Sequence, residues 1–486
     1  MKNRIFKIKN LIAMCGLLLV INVRCVDLNE TPKDFTGPSN FYTSKSQVES
    51  AFVSAMQRLY SEWSAYSYGQ WIFNSDDQIY GGELVFGNDQ GGDLWGAHYR
   101  AIADLNPAIK ALTEDKLGTG ATQEEKDALM AQVRFIRAYN YFSLVRLFGD
   151  VPLITEDVNP VTGEIGRTPI VDVYAFIEAD LLFAIQNLPD TWPAENQGRP
   201  AKGAAKALLT KVYITMATAP LNDATKYTKA RDMAADIMDD GIYDLVPEID
   251  QVFALENSYG PEVMWSFNAT TDDPSTPAQI YLPGSMDGWG DFKSEKKWGE
   301  SFPAQPRKDA YLLLEDTDGQ PYTTFDGSTP FVKKYLYDPA NWQRYTSIQN
   351  VPLLRYADVL LLYAEAANMA GGSPTQAAVD AVNLVINRAN GNVVNPADPL
   401  LTTAMTKAAF DAAVIQQRNL ELCFEYDRWF DIQRKRLLEK LISPGNTLET
   451  SAPNFTVDDY LWPIPQTDLR LNKLLTQNPG YTVLPD

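Results

Sequence analysis

The sequence predicts a mainly α-helical protein, built from helix pairs with a long irregular, loop-rich insertion and few short strands. Three observations carry that expectation. Apolar residues recur at spacings of three and four through the first half and again through the last third of the chain. Between about 268 and 350 the period is lost, and Pro, Gly, Thr, Asp and aromatic residues dominate. Only Cys423 stands beyond residue 25, so no disulfide can staple the body and a packed core must hold it.

The elements follow in order. Residues 1–10 are basic and 11–21 are an apolar run, the pattern of a signal peptide over 1–24. The run is shorter than the roughly 20 residues that span a bilayer. Cys25 follows, leading an acidic stretch, and resembles the acylated first residue of a bacterial lipoprotein; 25–45 would then be a tether. Such signals favour a small residue before the cysteine, whereas Arg24 stands here. The competing reading is an ordinary cleaved signal with an incidental Cys25. Residues 46–486 are expected to form a single domain.

Helices are predicted over 47–60, 95–112 and 124–148, the last stopped by Gly149 with Pro152 beyond. Further helices are expected over 171–188, 201–217 and 225–240, joined as antiparallel hairpins by their short connections. A short strand is read at Val263–Phe267, leading into the insertion. Helices return at 355–369, 374–389 and 407–441, and a proline-bearing tail over 460–481 should lie as an extended strap.

The formal charge of −20, about −25 once the basic leader is removed, argues against nucleic acid and against adhesion to anionic headgroups. Any hold on a membrane must therefore come from an acyl chain.

Several segments resemble one family. Arg418-Asn419-Leu420-Glu421-Leu422-Cys423-Phe424-Glu425, running on to Arg428-Trp429-Phe430-Asp431, is similar to the ERRxELAFEGxRWFDLxR pattern of SusD/RagB outer-membrane lipoproteins of Bacteroidetes. It departs at Gln417, Asn419 and Tyr426, where Glu, Arg and Gly are usual. Leu354-Arg355-Tyr356-Ala357-Asp358, with Tyr363-Ala364-Glu365-Ala366, resembles the family's LRYADVLLxYAEA helix. The segment 131–153, that from Gly198-Arg199-Pro200 to Val212-Tyr213, and the strap at Leu461-Trp462-Pro463-Ile464-Pro465 and Gln477-Asn478-Pro479-Gly480-Tyr481 resemble further family segments in the family's order. The resemblance implies a tetratricopeptide-like helix-pair superhelix whose irregular insertion binds the ligand. It also implies a glycan-capturing, nutrient-binding lipoprotein facing the cell exterior. Its expected partner is a SusC-type TonB-dependent outer-membrane barrel.

The motif charges need not be an active site. Arg355, Glu365, Glu421, Glu425, Arg428 and Asp431 stand among apolar residues, where ions are tolerated only in pairs; inter-helix ion pairs are expected. Sugar rings instead suit flat aromatic faces with polar groups beside them. Trp429 and Trp462 fall in scaffold motifs, Trp265 on the strand, and Trp95 heads an apolar helix. Two loop clusters remain as ligand-site candidates. One holds Trp71, Asp76 and Tyr80; the other holds Tyr281, Asp287, Trp289 and Trp298. Gly284, Gly288 and Gly290 would let the second loop turn and present Trp289. For each ring, packing under a loop is the competing reading.

No catalytic residue is expected. His98 is the only histidine, and no nucleophile elbow, P-loop or C-x-x-C is present. No cofactor or metal is predicted, because Glu315-Asp316-Thr317-Asp318-Gly319 fails the calcium-loop spacing; the many carboxylates leave a structural calcium ion open. The rivals to glycan capture are a helical-barrel glycoside hydrolase, needing only two carboxylates about 5–9.5 Å apart, and a helical-repeat scaffold that binds peptide or protein.

Overall fold

Helix α1, Lys45–Ser64, is the first regular element in the computed structural model, which describes residues 41–64, 75–80, 91–158, 165–340, 347–448 and 455–484, without the side chains of 61–64, Tyr80 and Asp326. The leader, Cys25 and Trp71 lie outside the described residues. Tyr42–Asp486 forms one compact unit.

Helices α2 (Gly92–Thr113) and α3 (Gln123–Phe148) follow, then α4 (Ile170–Asn187), α5 (Lys202–Ala217) and α6 (Lys226–Asp240). Each starts within about three residues of its sequence-predicted bound. Thr122 caps α3 reciprocally: its Oγ1 accepts from Glu125 N at 3.2 Å, and Glu125 Oε2 accepts from Thr122 N at 2.8 Å. Every residue of α3 from Leu129 on is buried except Arg134, because α1, α2, α4 and α5 all pack against it. That is why its apolar stripe is blurred by Gln132, Arg137 and Asn140, each of them hydrogen-bonded within the structure. His98 belongs to this packing: its Nδ1 lies 2.9 Å from Asn140 Oδ1, and burial pushes its pKa down to about 4.

The insertion is closed at its base by strands β2 (Val263–Phe267) and β6 (Val351–Arg355). They pair antiparallel, with Phe267 opposite Val351 and Val263 opposite Arg355. The insertion's β3 (Phe292–Ser294) pairs with β1 (Gln78–Tyr80) from the first part of the chain, and within the insertion β4 (Leu312–Leu313) pairs with β5 (Phe331–Val332). The chain then returns through α7 (Tyr356–Ala370), which packs on α6 across the whole insertion, and α8 (Gln376–Ala389).

The helix expected over 407–441 is a correction. It is broken into α9 (Lys407–Glu421), α10 (Arg428–Lys435) and a turn at Leu438–Leu441. The break has a backbone cause: Phe424 and Tyr426 take φ of +63° and +75°, which no right-handed helix accommodates. Tyr426 stands where the family pattern has glycine, so that departure marks the break. The strap is also not wholly extended, since Gln466–Leu471 is helical. Asn478 Nδ2 pins it by donating to Phe148 O at 3.0 Å.

The motif charges meet where the β2–β6 ladder joins the helices. Arg355 bonds Glu425 at 2.7 Å and contacts Glu262. Arg388 bonds Glu262 at 2.7 Å and Glu421 at 2.8 Å. Arg307 bonds Asp398 and Glu421 at 3.2 Å, and Lys334 bonds Glu425 at 2.6 Å. All eight side chains are buried, and cations match anions in number. Burial alone would raise the Glu421 carboxyl, but Arg388, Arg355 and Arg307 hold it well below the usual carboxylate range. A second set joins α7, α9 and α10: Arg418 bonds Asp431 at 2.8 Å and contacts Asp358, and Arg434 bonds Glu365 at 2.7 Å. The motif carboxylates are thus consumed by pairing.

Candidate functional site

Residues 277–294 build a rigid platform outside that frame. A short helix, Pro277–Tyr281, opens on a proline whose missing N–H costs nothing there. Leu282 is fully buried, and the chain then turns through Gly284–Met286 into β3. Backbone bonds fix the turn: Trp289 N donates to Gln279 O at 2.9 Å, Gly290 N to Leu282 O at 2.9 Å and Gly288 N to Pro283 O at 3.1 Å. Gln279 Nε2 reaches Asp287 O at 3.2 Å. Gly288 is obligatory, because a Cβ there would stand 2.0 Å from Leu282 O.

The outcome is an indole held out by its own backbone. Trp289 is 44% exposed, the only exposed tryptophan among the described residues, and Asp287 beside it is exposed too. The two sequence clusters meet here: β1 pairs with β3 so that Tyr80 stands opposite Phe292. Trp71 and the Tyr80 side chain lie outside the described residues.

Three expected ligand residues are corrected. Tyr281 is buried, stacked on Tyr335 with centroids 5.3 Å apart and planes 13° apart, and its hydroxyl donates to Gln78 Oε1 at 3.0 Å. Trp298 is buried edge-on against Phe302 and Phe424. Asp76 is buried in an ion pair with Arg428, Nη2 to Oδ2 2.7 Å. Each is held by a segment distant in the chain: Tyr281 by Tyr335 and Gln78, Trp298 by Phe424, and Asp76 by Arg428.

Two buried acids flank the β1–β3 pair. Asp77 accepts from Phe424 N at 2.8 Å, yet burial pushes its pKa up to about 6. Glu295 caps the short helix Lys296–Ser301 by accepting from Trp298 N at 2.7 Å, and burial pushes it up to about 7. Cys423, also buried, has its thiol pushed up to about 12 by burial, which makes it a poor nucleophile. Among the described residues no group of three or more His, Cys, Asp or Glu side chains is placed to hold a metal ion.

Sequence reasoning missed a second hollow, between the α4–α5 connection and the segment after α6. Trp192, Tyr243 and Tyr259 line it. Its rings come from two segments, with Trp192 more than 50 residues before Tyr243 and Tyr259, so no local cluster announces it.

Relatives share this architecture. Residues 294–481 match the family model described as "SusD family", and residues 33–214 match one described as "Starch-binding associating with outer membrane". The chain belongs to the SusD/RagB family. A SusD-like protein of Formosa agariphila is 28% identical, over 96% of this chain and 98% of that relative. Among solved structures, a SusD homologue from Bacteroides thetaiotaomicron superposes with TM-score 0.76 at 24% identity, covering 91% of this chain and 98% of that one. Surface glycan-binding protein A from Bacteroides fluxus also gives TM-score 0.76, at 22% identity over 90% of this chain and 100% of that one. Among the described residues of this SusD-family chain no helix is long and apolar enough to cross a membrane.

Proposed function

We propose that this chain captures oligo- or polysaccharide at the cell surface, without cleaving it, and delivers it to a SusC-type TonB-dependent outer-membrane barrel. The carrying observation is Trp289: an exposed indole carried on a turn that backbone hydrogen bonds fix in place. A pyranose ring has an apolar C–H face for such an indole and hydroxyls for carboxylates such as Asp287. A pre-ordered turn also lowers the ordering cost of binding. The motif carboxylates are engaged by arginines, which speaks against their use in hydrolysis. A solved structure with the same fold is named for surface glycan binding, which supports the same ligand class. Attachment is proposed through acylation of Cys25, with the charge of −20 arguing against adhesion by the protein surface itself.

Incubation with a polysaccharide panel including starch tests the reading. Retention without new reducing ends, weakened by Trp289→Ala, is expected. Release of reducing ends identifies a hydrolase, and failure to retain any polysaccharide points to a peptide or protein ligand. Loss of lipid labelling in Cys25→Ser and co-purification with a barrel transporter test the anchor and the delivery step.

A further inference from the structure

Among the described residues only two aromatic side chains are exposed, Trp289 and Tyr259, at 44% and 43%. Tyr259 stands in a groove unrelated to the 277–294 platform by any shared residue. Together with Gln197 it lines two adjoining hollows of about 220 and 430 Å3. The smaller is walled by Trp192, Tyr243 and Arg199 and floored by Trp265 and Ser266. The larger continues past Glu256, Thr270 and Asn350.

We propose that this groove is a second glycan subsite, taking consecutive rings of a neutral sugar chain on either side of Tyr259. The inference rests on the reading of the chain as a glycan binder and adds a site and a ligand class to it.

Three features carry the assignment. The rings are already fixed. Trp192 Nε1 donates to Pro200 O at 3.0 Å, so the indole edge is tethered. Tyr243 lies against the start of α5, where a Cβ on Gly203 would come within 2.3 Å of its ring. Burial pushes the Tyr243 hydroxyl up to about 12, so it stays protonated, able to donate and accept, at ordinary pH.

The shape suits a chain. Two hollows sharing one aromatic wall match successive rings better than a single rounded ligand. The larger falls within the about 300–1,000 Å3 usual for small-molecule clefts, and the smaller does not reach it.

The charge excludes acidic sugars. The one guanidinium in the lining, Arg199, is engaged by Glu49 and Gln132 at 3.2 Å each. The other ionised groups in the two linings are the carboxylates of Asp190 and Glu256. Asp190 is partly compensated by Lys202, but nothing in the groove offers an anionic polymer an unengaged cation. Hydroxyls, by contrast, find Gln197, Thr191 and both carboxylates as partners.

The test uses the full chain with malto-, laminari- and cello-oligosaccharides as neutral probes and oligogalacturonate as the acidic one. Hydrogen exchange is read over 188–201 and 255–271, and separately over 277–294. In Trp289→Ala, at least one neutral probe should still protect 188–201 and 255–271. Adding Tyr259→Ala should weaken that residual affinity about three- to tenfold, whereas Tyr259→Phe, which keeps the ring, should leave it nearly unchanged. Oligogalacturonate should protect neither segment. Protection confined to 277–294, with Tyr259→Ala binding as tightly as wild type, overturns the groove and leaves the Trp289 reading standing. Groove protection with no effect of Trp289→Ala supports the groove and overturns the platform. Equal protection by oligogalacturonate overturns the neutral-chain assignment, and no protection by any neutral probe overturns both sites.

Discussion

The ion-paired junction and the 277–294 platform place their side chains against the usual preference in opposite ways. At the junction, Arg355, Arg388, Glu262 and Glu421 are charged side chains taken out of water. On the platform, Trp289 is a large apolar side chain left in water. Each placement costs free energy by itself. The first is offset inside the molecule, because every junction charge finds an opposite partner. The second leaves an indole face at the surface of a turn fixed by backbone hydrogen bonds, which makes the platform, not the charge cluster, the surface suited to a ligand.

Substitutions that remove one partner from the junction break the comparison most severely. Arg355→Ala leaves three buried cations, Arg388, Arg307 and Lys334, against four carboxylates, and chemical denaturation should show a loss of about 3–5 kcal/mol. A loss below about 1 kcal/mol would mean the junction is not a buried network. Trp429→Ala should lose a similar amount, about 3–5 kcal/mol, because the indole is buried edge-on against Phe455. Wild-type stability there would remove it from the core.

Gly288→Ala attacks the platform's geometry. The added Cβ cannot coexist with Leu282 O, so the turn must reopen. Glycan affinity should fall at least as far as in Trp289→Ala while the helical circular-dichroism signal persists. Unchanged affinity would show that the turn need not be rigid.

Protonation sharpens the contrast further. The lowered carboxyls Glu421 and Glu365 contribute stability that is present above their unfolded pKa and lost as pH falls through the folded value. Acid should therefore unfold the frame below about pH 4. Glu295 has the opposite sign: with a folded pKa of about 7, its ionisation costs stability as pH rises from about 4 to 7. Glu295→Gln should raise the melting temperature at pH 8 and change it little at pH 4. A uniform shift at both pH values would rule out titration of this group as the cause.

The smallest expected effect on stability is that of Trp289→Ala, within about 0.5 kcal/mol, alongside a clear loss of glycan retention. A large loss of stability would instead make the indole part of the core.

Much of the frame was legible because helices announce themselves locally. Helices α1 to α6 and the Gly149 stop stand close to their expected bounds. The break between α9 and α10 was hidden by an apolar pattern that runs straight through it; only Tyr426, in place of glycine, marked the left-handed turn. At the site, Trp289 and Asp287 stand outside while Tyr281, Trp298 and Asp76 close inside, although all five look alike in an irregular segment. Which face of a short strand or single-turn helix points inward depends on what is brought against it, here β1 and the 422–427 turn.

Composition and periodicity by themselves determined a helical, disulfide-free, acidic body with an aromatic insertion, since those properties depend on neighbours three or four residues away. Only the tertiary structure decided which rings reach solvent and that Trp192, Tyr243 and Tyr259 share a groove. Exposure is a property of contacts between segments distant in the chain, and no local pattern encodes those.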